Sequence, residues 1–170
     1  MTFDVLRSRF QAALEVLLLT LITALALVVI VGVVFRKAGA ALVWYDEVAS
    51  VLLAWLTYYG ASFAALKRAH IGFPKLVESV GPQTRRVLAV VREVIVIGFF
   101  ALVAWAGIEV LQILQGINLT SLPNVPARLT QSVIPIGAAL FIIAELLSLP
   151  GYWRATRDGI SLDHVEVEED

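Results

Sequence analysis

The sequence contains no cysteine and only two histidines, His70 and His164. The absence of cysteine excludes disulfides, thiolate metal sites, iron–sulfur clusters and thiol redox chemistry. Both histidines lie outside the long apolar stretches, which excludes a haem held between two membrane histidines. The sequence also offers no candidate nucleophile, metal-ligand set or buried acid–base pair. We therefore predict a protein that is not an enzyme and that needs no metal or cofactor.

Charged side chains are scarce, at 16% of the 170 residues, against 59% hydrophobic residues and a mean hydropathy of +0.86. A soluble domain of this length would carry more charge to keep its surface hydrated. Apolar stretches of about 18 or more residues can cross a bilayer as helices, because lipid offers the backbone no hydrogen-bond partners. We therefore predict an all-α integral membrane protein with a bundle of four transmembrane helices. These lie near residues 12–35, 44–66, 87–114 and 132–149.

The segments between and after these stretches are short. Residues 1–150 form the predicted transmembrane domain, and residues 151–170 form an acidic tail that we expect to be solvated. Residues 70–82 form either a short amphipathic helix in the membrane interface, beginning at Pro74, or an ordinary loop. The first stretch could be a secretory signal, but its apolar run over residues 16–35 exceeds the roughly 7–15 residues of a signal. We predict a retained first helix.

Basic residues are distributed unequally between the two sides of the predicted bundle. Four crossings place both termini on one side, together with the loop between the second and third helices. Nine basic residues fall on that side and three on the other, so we predict that the termini are cytoplasmic. The nine are Arg7, Arg9, Lys67, Arg68, Lys75, Arg85, Arg86, Arg154 and Arg157, and the three are Arg36, Lys37 and Arg128.

The second predicted helix carries a stripe of mostly small side chains, which runs between Glu47 and Arg68. Its members repeat with alternating spacings of three and four residues, so they share one face of the helix. Small residues let helix backbones approach closely, which is how helices associate within membranes. We predict that this stripe contacts other helices. It comprises Ser50, Ala54, Thr57, Ala61 and Ala64.

Several charged residues lie inside or at the edges of the apolar stretches, near the predicted cytoplasmic interface. Such charges cost less near helix ends, where they can pair, than at the membrane centre. We predict a structural ion-pair layer anchored by Arg92, bonded to Glu15 or Glu145. Alternatively, Glu15 is a proton-coupling carboxylate, as in small multidrug antiporters, although a coupling site should lie deeper. The predicted layer comprises Glu15, Arg68, Arg92, Glu93 and Glu145.

Two segments contain an ordered set of recognisable features. The first segment has Arg36, Trp44, Asp46-Glu47, Trp55, Gly60, Lys67-Arg68 and His70-Ile71. In the second, residues 119–145, a proline-containing loop leads into V-I-P-I-G at the start of the last helix. This order within a four-helix chain resembles the small membrane subunit (the DctQ or Q type) of tripartite ATP-independent periplasmic transporters.

The resemblance implies a non-catalytic subunit in the bacterial inner membrane. In that family a periplasmic binding protein delivers an organic acid, often a dicarboxylate or an acidic sugar, and a large membrane subunit (M type) carries it inward with sodium. The small subunit would brace the large subunit, through the stripe on its second helix, and help dock the binding protein. The residues expected on the docking side are Trp44, Asp46, Glu47, Pro123 and Asn124.

The partners implied are thus the large subunit, the binding protein and membrane lipid, with no nucleic acid. A different interpretation is a self-sufficient small transporter or channel. That protein would need a polar pathway through the helices of this chain alone, whereas a bracing subunit needs only surfaces for its partners.

Overall fold

A computed structural model describes residues 2–68 and 80–158 of the chain. Within these residues, four segments are long and apolar enough to cross a membrane, which confirms the prediction of an all-α membrane protein with four spans. The spans are Val5–Lys37, Tyr45–Lys67, Gln83–Ile113 and Ala127–Gly151. The helices are α1 (Thr2–Lys37), α2 (Tyr45–Lys67), α3 (Pro82–Ile113), α4 (Ala127–Gln131) and α5 (Val133–Asp158).

Three of the helices are longer than the apolar stretches that predicted them. Helix α1 begins at Thr2, because the ten residues before position 12 contain neither proline nor glycine and can continue the helix. Helix α3 begins at Pro82, whose missing N–H is not needed in a first helical turn. With 36 residues, α1 is about 54 Å long, so it extends beyond a hydrocarbon core of roughly 30 Å.

Some predicted features fall outside the described residues. Residues 70–79 of the predicted interfacial helix or loop lie outside the described residues, and only residues 80–82 of it are described. Both histidines also lie outside the described residues. Of the predicted acidic tail, residues 151–158 continue helix α5, and the remainder lies beyond the described residues.

The four spans pack side by side in an open row with the order α1–α2–α5–α3. Helix α1 packs on α2, α2 on α5 and α5 on α3, whereas α1 and α3 form no packed interface with each other among the described residues. The span formed by α4 and α5 is the most enclosed, with 44% of its apolar core buried against 11–17% in the others. The bundle is therefore open, with α1 and α3 at its edges.

Glycines at the helix crossings let these neighbours approach closely. A β-carbon on Gly137 of α5 would lie 2.7 Å from the Cβ of Tyr58 on α2. A β-carbon on Gly32 of α1 would overlap the ring of Tyr45, and one on Gly107 of α3 would meet Ile134 and Pro135 of α5 in the same way. Because no side chain fits in these gaps, the glycines fix where the helices cross.

Stacked aromatic rings join α3 to α5 near the middle of the bundle. The rings of Phe100 and Phe141 are 3.6 Å apart between centroids and 12° from parallel. Phe141 belongs to an apolar cluster that includes Ala65 and Leu66 of α2 and Ala144 of α5. This cluster lies close to one of the two ends of the bundle, since Leu66 is the second-last residue of α2. We call them the terminal end, where α2 and α5 finish, and the loop end, which contains residues 38–44 and 114–126.

Candidate functional site

At the terminal end, the backbone of Arg68 stops helix α2. Arg68 has φ 54° and ψ 30°, a left-handed conformation that is uncommon for residues other than glycine. Its N–H donates to the carbonyls of Ala64 and Ala65, which satisfies groups that the helix end would leave unpaired. The Arg68 side chain lies inside the bundle, and the residue is only 6% exposed.

The guanidinium of Arg68 connects three helices. Its Nη1 atom lies 2.5 Å from Glu93 Oε1 on α3 and 2.9 Å from Glu145 Oε1 on α5. Its Nε donates a hydrogen bond of 2.8 Å to Ser148 Oγ. Because Glu93 belongs to α3 and Glu145 and Ser148 belong to α5, this one side chain fixes the end of α2 against both helices.

A second arginine completes the group. Arg92 Nη1 lies 3.3 Å from Glu93 Oε1 and 3.9 Å from Glu145 Oε1. We call Arg68, Arg92, Glu93 and Glu145 the charge cluster. It pairs two arginines with two glutamates, and pairing is the condition under which charged groups are tolerated away from water.

The carboxylates of the charge cluster are deeply buried. The side chain of Glu93 is 7% exposed and that of Glu145 is 1% exposed, whereas that of Arg92 is 35% exposed. The second oxygens of the two carboxylates, Glu93 Oε2 and Glu145 Oε2, are buried and accept no hydrogen bond within the described part of the chain. Burial of this kind costs desolvation free energy, which offsets much of the attraction between the opposite charges.

The structure brings together four of the five residues predicted for the ion-pair layer. The central residue is Arg68 and not Arg92, because Arg68 is the buried arginine and makes the shorter contacts. Glu15 lies apart from the group. Its Oε1 accepts a hydrogen bond of 2.9 Å from Gln11 Nε2 one turn earlier, and it forms no salt bridge among the described residues. Of the two partners predicted for Arg92, the structure therefore has Glu145 and not Glu15.

At the loop end, Glu47 attaches the first turn of α2 to the loop between α3 and α4. Glu47 Oε1 accepts the Thr120 N–H at 3.1 Å. Glu47 Oε2 accepts the Ser121 N–H at 2.8 Å and also the Ser121 hydroxyl. Hydrogen bonds to an ionised carboxylate are stronger than those between neutral groups. Glu47 is therefore an internal acceptor for two loop amides.

The loop itself is ordered by its own hydrogen bonds. The Leu119 N–H donates to the Val125 carbonyl at 3.0 Å, and the Asn118 side chain donates to the Pro123 carbonyl at 2.6 Å. We call residues 117–127 the loop hairpin. With Glu47 it forms a structured surface at this end of the bundle.

The residues predicted to face a docking partner are gathered at the loop end. Asp46, Pro123 and Asn124 are exposed, and Trp44 is half-buried at the start of α2. Glu47 differs from them, because its carboxylate is already engaged by the loop hairpin. Sequence reasoning did not identify Thr120 and Ser121 as its partners, since nothing in the sequence pairs residues so far apart.

The predicted stripe on α2 is only partly covered by this chain. Ser50, Ala54 and Thr57 are exposed, while Ala61 and Ala64 are half-buried. The two hydroxyls bond to their own helix, Ser50 Oγ to the Asp46 carbonyl and Thr57 Oγ1 to the Leu53 carbonyl, each at 2.8 Å. The outer half of the stripe is thus a small-residue surface that no described helix covers.

The stripe and the exposed residues of α5 lie on opposite faces of the row. On α2, the exposed Thr57 directly precedes Tyr58, which contacts α5, and on α5 the exposed Ile136 directly precedes Gly137, which contacts Tyr58. Both helices run from the loop end to the terminal end. On each helix, the exposed residue lies one residue, or about 100° of rotation, before the residue in contact. Because the two helices run in the same direction but face each other, this equal rotation places the two exposed residues on opposite sides of the row. One broad face of the row carries the small and hydroxyl side chains of the stripe. The other broad face carries large aliphatic side chains such as Ile143.

These features define a multi-pass helical membrane protein whose buried polar side chains hold its helices and loops in place. Within the described residues, no group of three or more histidines or acidic residues is arranged to hold a metal. The family model for the DctQ component of tripartite ATP-independent periplasmic transporters matches residues 25–155. The chain belongs to this family, which confirms the resemblance found in its sequence. No curated protein matches it.

Proposed function

We propose that this chain is the small permease subunit that braces the large transport subunit and helps dock the substrate-binding protein. The complex takes up an organic acid, a dicarboxylate or an acidic sugar, together with sodium ions. Membership of the DctQ family supports the assignment to such a transporter. The charge bias of the sequence supports a placement in the bacterial inner membrane with cytoplasmic termini.

The exposed half of the stripe on α2 carries the proposal. Ser50, Ala54 and Thr57 are uncovered in this chain, although small residues in membrane helices characteristically lie where another helix packs. In the same span, Ala61, Ala64 and Ser62 already pack within the chain. We infer that a helix of the large subunit covers the exposed half, because its small side chains permit close backbone approach.

A bulky substitution on each broad face tests this interface. Ala54→Phe places a ring on the stripe, whereas Ala139→Phe places the same ring on the exposed surface of α5 at the opposite face. We expect Ala54→Phe to abolish co-purification of the large subunit and substrate uptake, and Ala139→Phe to leave both unchanged. Equal retention of the large subunit by the two variants would contradict the assignment of the stripe.

The exposed groups at the loop end support a role in docking. Asp46 is exposed and has no part in the hydrogen bonds that hold the loop hairpin, so Asp46→Lys reverses a surface charge without removing any of these bonds. We expect this variant to reduce uptake in reconstituted vesicles by weakening productive encounter with the binding protein. Reversing Asp46 and Glu47 together should reduce uptake further, because Glu47 also orders the loop. Unaffected uptake in the double variant would remove the docking assignment.

An uptake assay on the chain purified alone distinguishes a bracing subunit from a self-sufficient transporter. A bracing subunit should move no organic acid or sodium across vesicle membranes without the large subunit. Uptake by the isolated chain would favour the alternative function and contradict the proposal.

A further inference from the structure

An apolar pocket of 160 Å³ lies at the loop end, between α2 and the loop hairpin. Polar groups at its base are already used within the protein, since Trp55 Nε1 donates to the Thr130 carbonyl at 2.9 Å and the Thr130 hydroxyl donates to the Ala127 carbonyl. The pocket therefore offers no partner to a sugar or an organic acid. Its walls include Val51, Leu52, Trp55, Leu119, Leu122 and Val125.

A membrane span that begins at Tyr45 would place the pocket at the depth of lipid acyl chains. At 1.5 Å per residue, its lining from Val48 to Trp55 covers about 5 to 15 Å from the start of α2, within one leaflet of a core roughly 30 Å thick. Val48, Val51 and Leu52 are only half-buried and belong to a membrane span. The pocket is thus continuous with the lipid-facing surface of the protein.

The pocket opens on the side of α2 opposite the stripe. Val51 directly follows Ser50 of the stripe, and Trp55 directly follows Ala54. Around the axis of α2, the centre of the pocket lining lies about half a turn from the centre of the stripe. This step rests on the proposed function: when the large subunit covers the stripe, the pocket faces the bilayer.

We infer that this pocket binds the hydrocarbon chain of a membrane lipid. An engineered apolar cavity of roughly 150 Å³ in another protein holds a benzene molecule, so a pocket of this volume suits part of an acyl chain. Hydrocarbon needs no hydrogen bonds, which matches the lining, and it is the medium present at this depth. The lipid would fill the gap between α2 and the loop hairpin.

Fluorescence quenching by brominated lipid acyl chains tests this inference, because Trp55 is part of the pocket wall. Trp44→Phe, Trp105→Phe and Trp153→Phe together leave Trp55 as the only tryptophan of the chain, and bromine on the acyl chains should quench its emission. Val51→Phe fills the pocket and should abolish this quenching. Leu53→Phe, on the exposed opposite side of the same helix, should leave it unchanged. A variant that retains only Trp105, which is 61% exposed, should be quenched whether or not the pocket is filled.

Absence of Trp55 quenching in the unfilled chain would overturn the inference, as would quenching that survives both Val51→Phe and Val48→Phe. Repeating the measurement with the large subunit bound identifies the other possible occupant. Loss of Trp55 quenching in that complex would mean that a side chain of the large subunit fills the pocket, which also overturns the inference. Failure of the proposed function can be told apart from failure of this inference. The stripe is tested by whether Ala54→Phe still retains the large subunit, and the pocket is tested by Trp55 quenching.

Discussion

The terminal end and the loop end of the bundle both use glutamate to fix a segment in place, but they differ in burial. At the terminal end, Glu93 and Glu145 are enclosed and meet arginine side chains. At the loop end, Glu47 is partly exposed and accepts backbone N–H groups. A charge that loses its partner in a buried site stays uncompensated, whereas water can replace a partner near the surface. The same residue type should therefore contribute very differently to stability at the two ends.

The largest effect is expected from Arg68→Leu. Removing this guanidinium leaves Glu93 and Glu145 buried without their shortest contacts, which should lower the free energy of unfolding by about 3–5 kcal/mol. Unfolding by SDS titration in mixed micelles measures the loss. The matched variant Arg92→Leu should cost less, because Arg92 is more exposed and its contacts are longer. An equal or larger loss in Arg92→Leu would return the central role to Arg92.

A rescue variant separates charge balance from packing at the terminal end. Arg68→Met combined with Glu93→Leu and Glu145→Leu replaces the buried charges by apolar groups of similar size. Such replacements are often neutral or stabilising, so we expect most of the stability lost in Arg68→Leu to return. If the triple variant is as unstable as Arg68→Leu, loss of packing and not an unpaired charge causes the effect.

An intermediate effect is expected midway between the two ends, where α2 crosses α5. Gly137→Ala forces a β-carbon against Tyr58 and should lower the free energy of unfolding by about 1–3 kcal/mol through overpacking. Gly98→Ala on α3 is the matched control, because nothing lies within 4 Å of the added carbon. There the gain in helix propensity, up to about 1 kcal/mol, should leave stability unchanged or slightly raised. Thermal unfolding of the two variants in detergent compares them, and equal destabilisation would show that the crossing is not the cause.

The smallest effect is expected from Glu47→Gln at the loop end. The amide keeps one acceptor oxygen but loses the charge, so global stability should fall by only about 1 kcal/mol. The local effect should be clearer, as faster hydrogen exchange at the Thr120 and Ser121 amides. Asp46→Asn removes the neighbouring charge outside these bonds and should leave the exchange unchanged. Protection that persists in Glu47→Gln would show that the carboxylate does not hold the loop hairpin.

The residues of the charge cluster could be predicted from the sequence, but two features of the structure could not. The grouping of Arg68, Arg92, Glu93 and Glu145 followed from their common depth. The central place of Arg68 did not, because it depends on a left-handed turn that takes its side chain back among the helices. The attachment of Ser121 to Glu47 joins residues 74 positions apart, and no local pattern marks such a pair.

The sequence by itself determined the membrane class, the four spans and the family, because these depend on the length of apolar runs and the order of local features. It also determined which faces of α2 are small and which are bulky, through the helical period. Only the tertiary structure decided that the helices form an open row, that the stripe and the aliphatic surface of α5 face opposite ways, and that an apolar pocket lies beneath the loop hairpin. A helical period sets the faces of one helix, but contacts between distant helices decide which of those faces is covered.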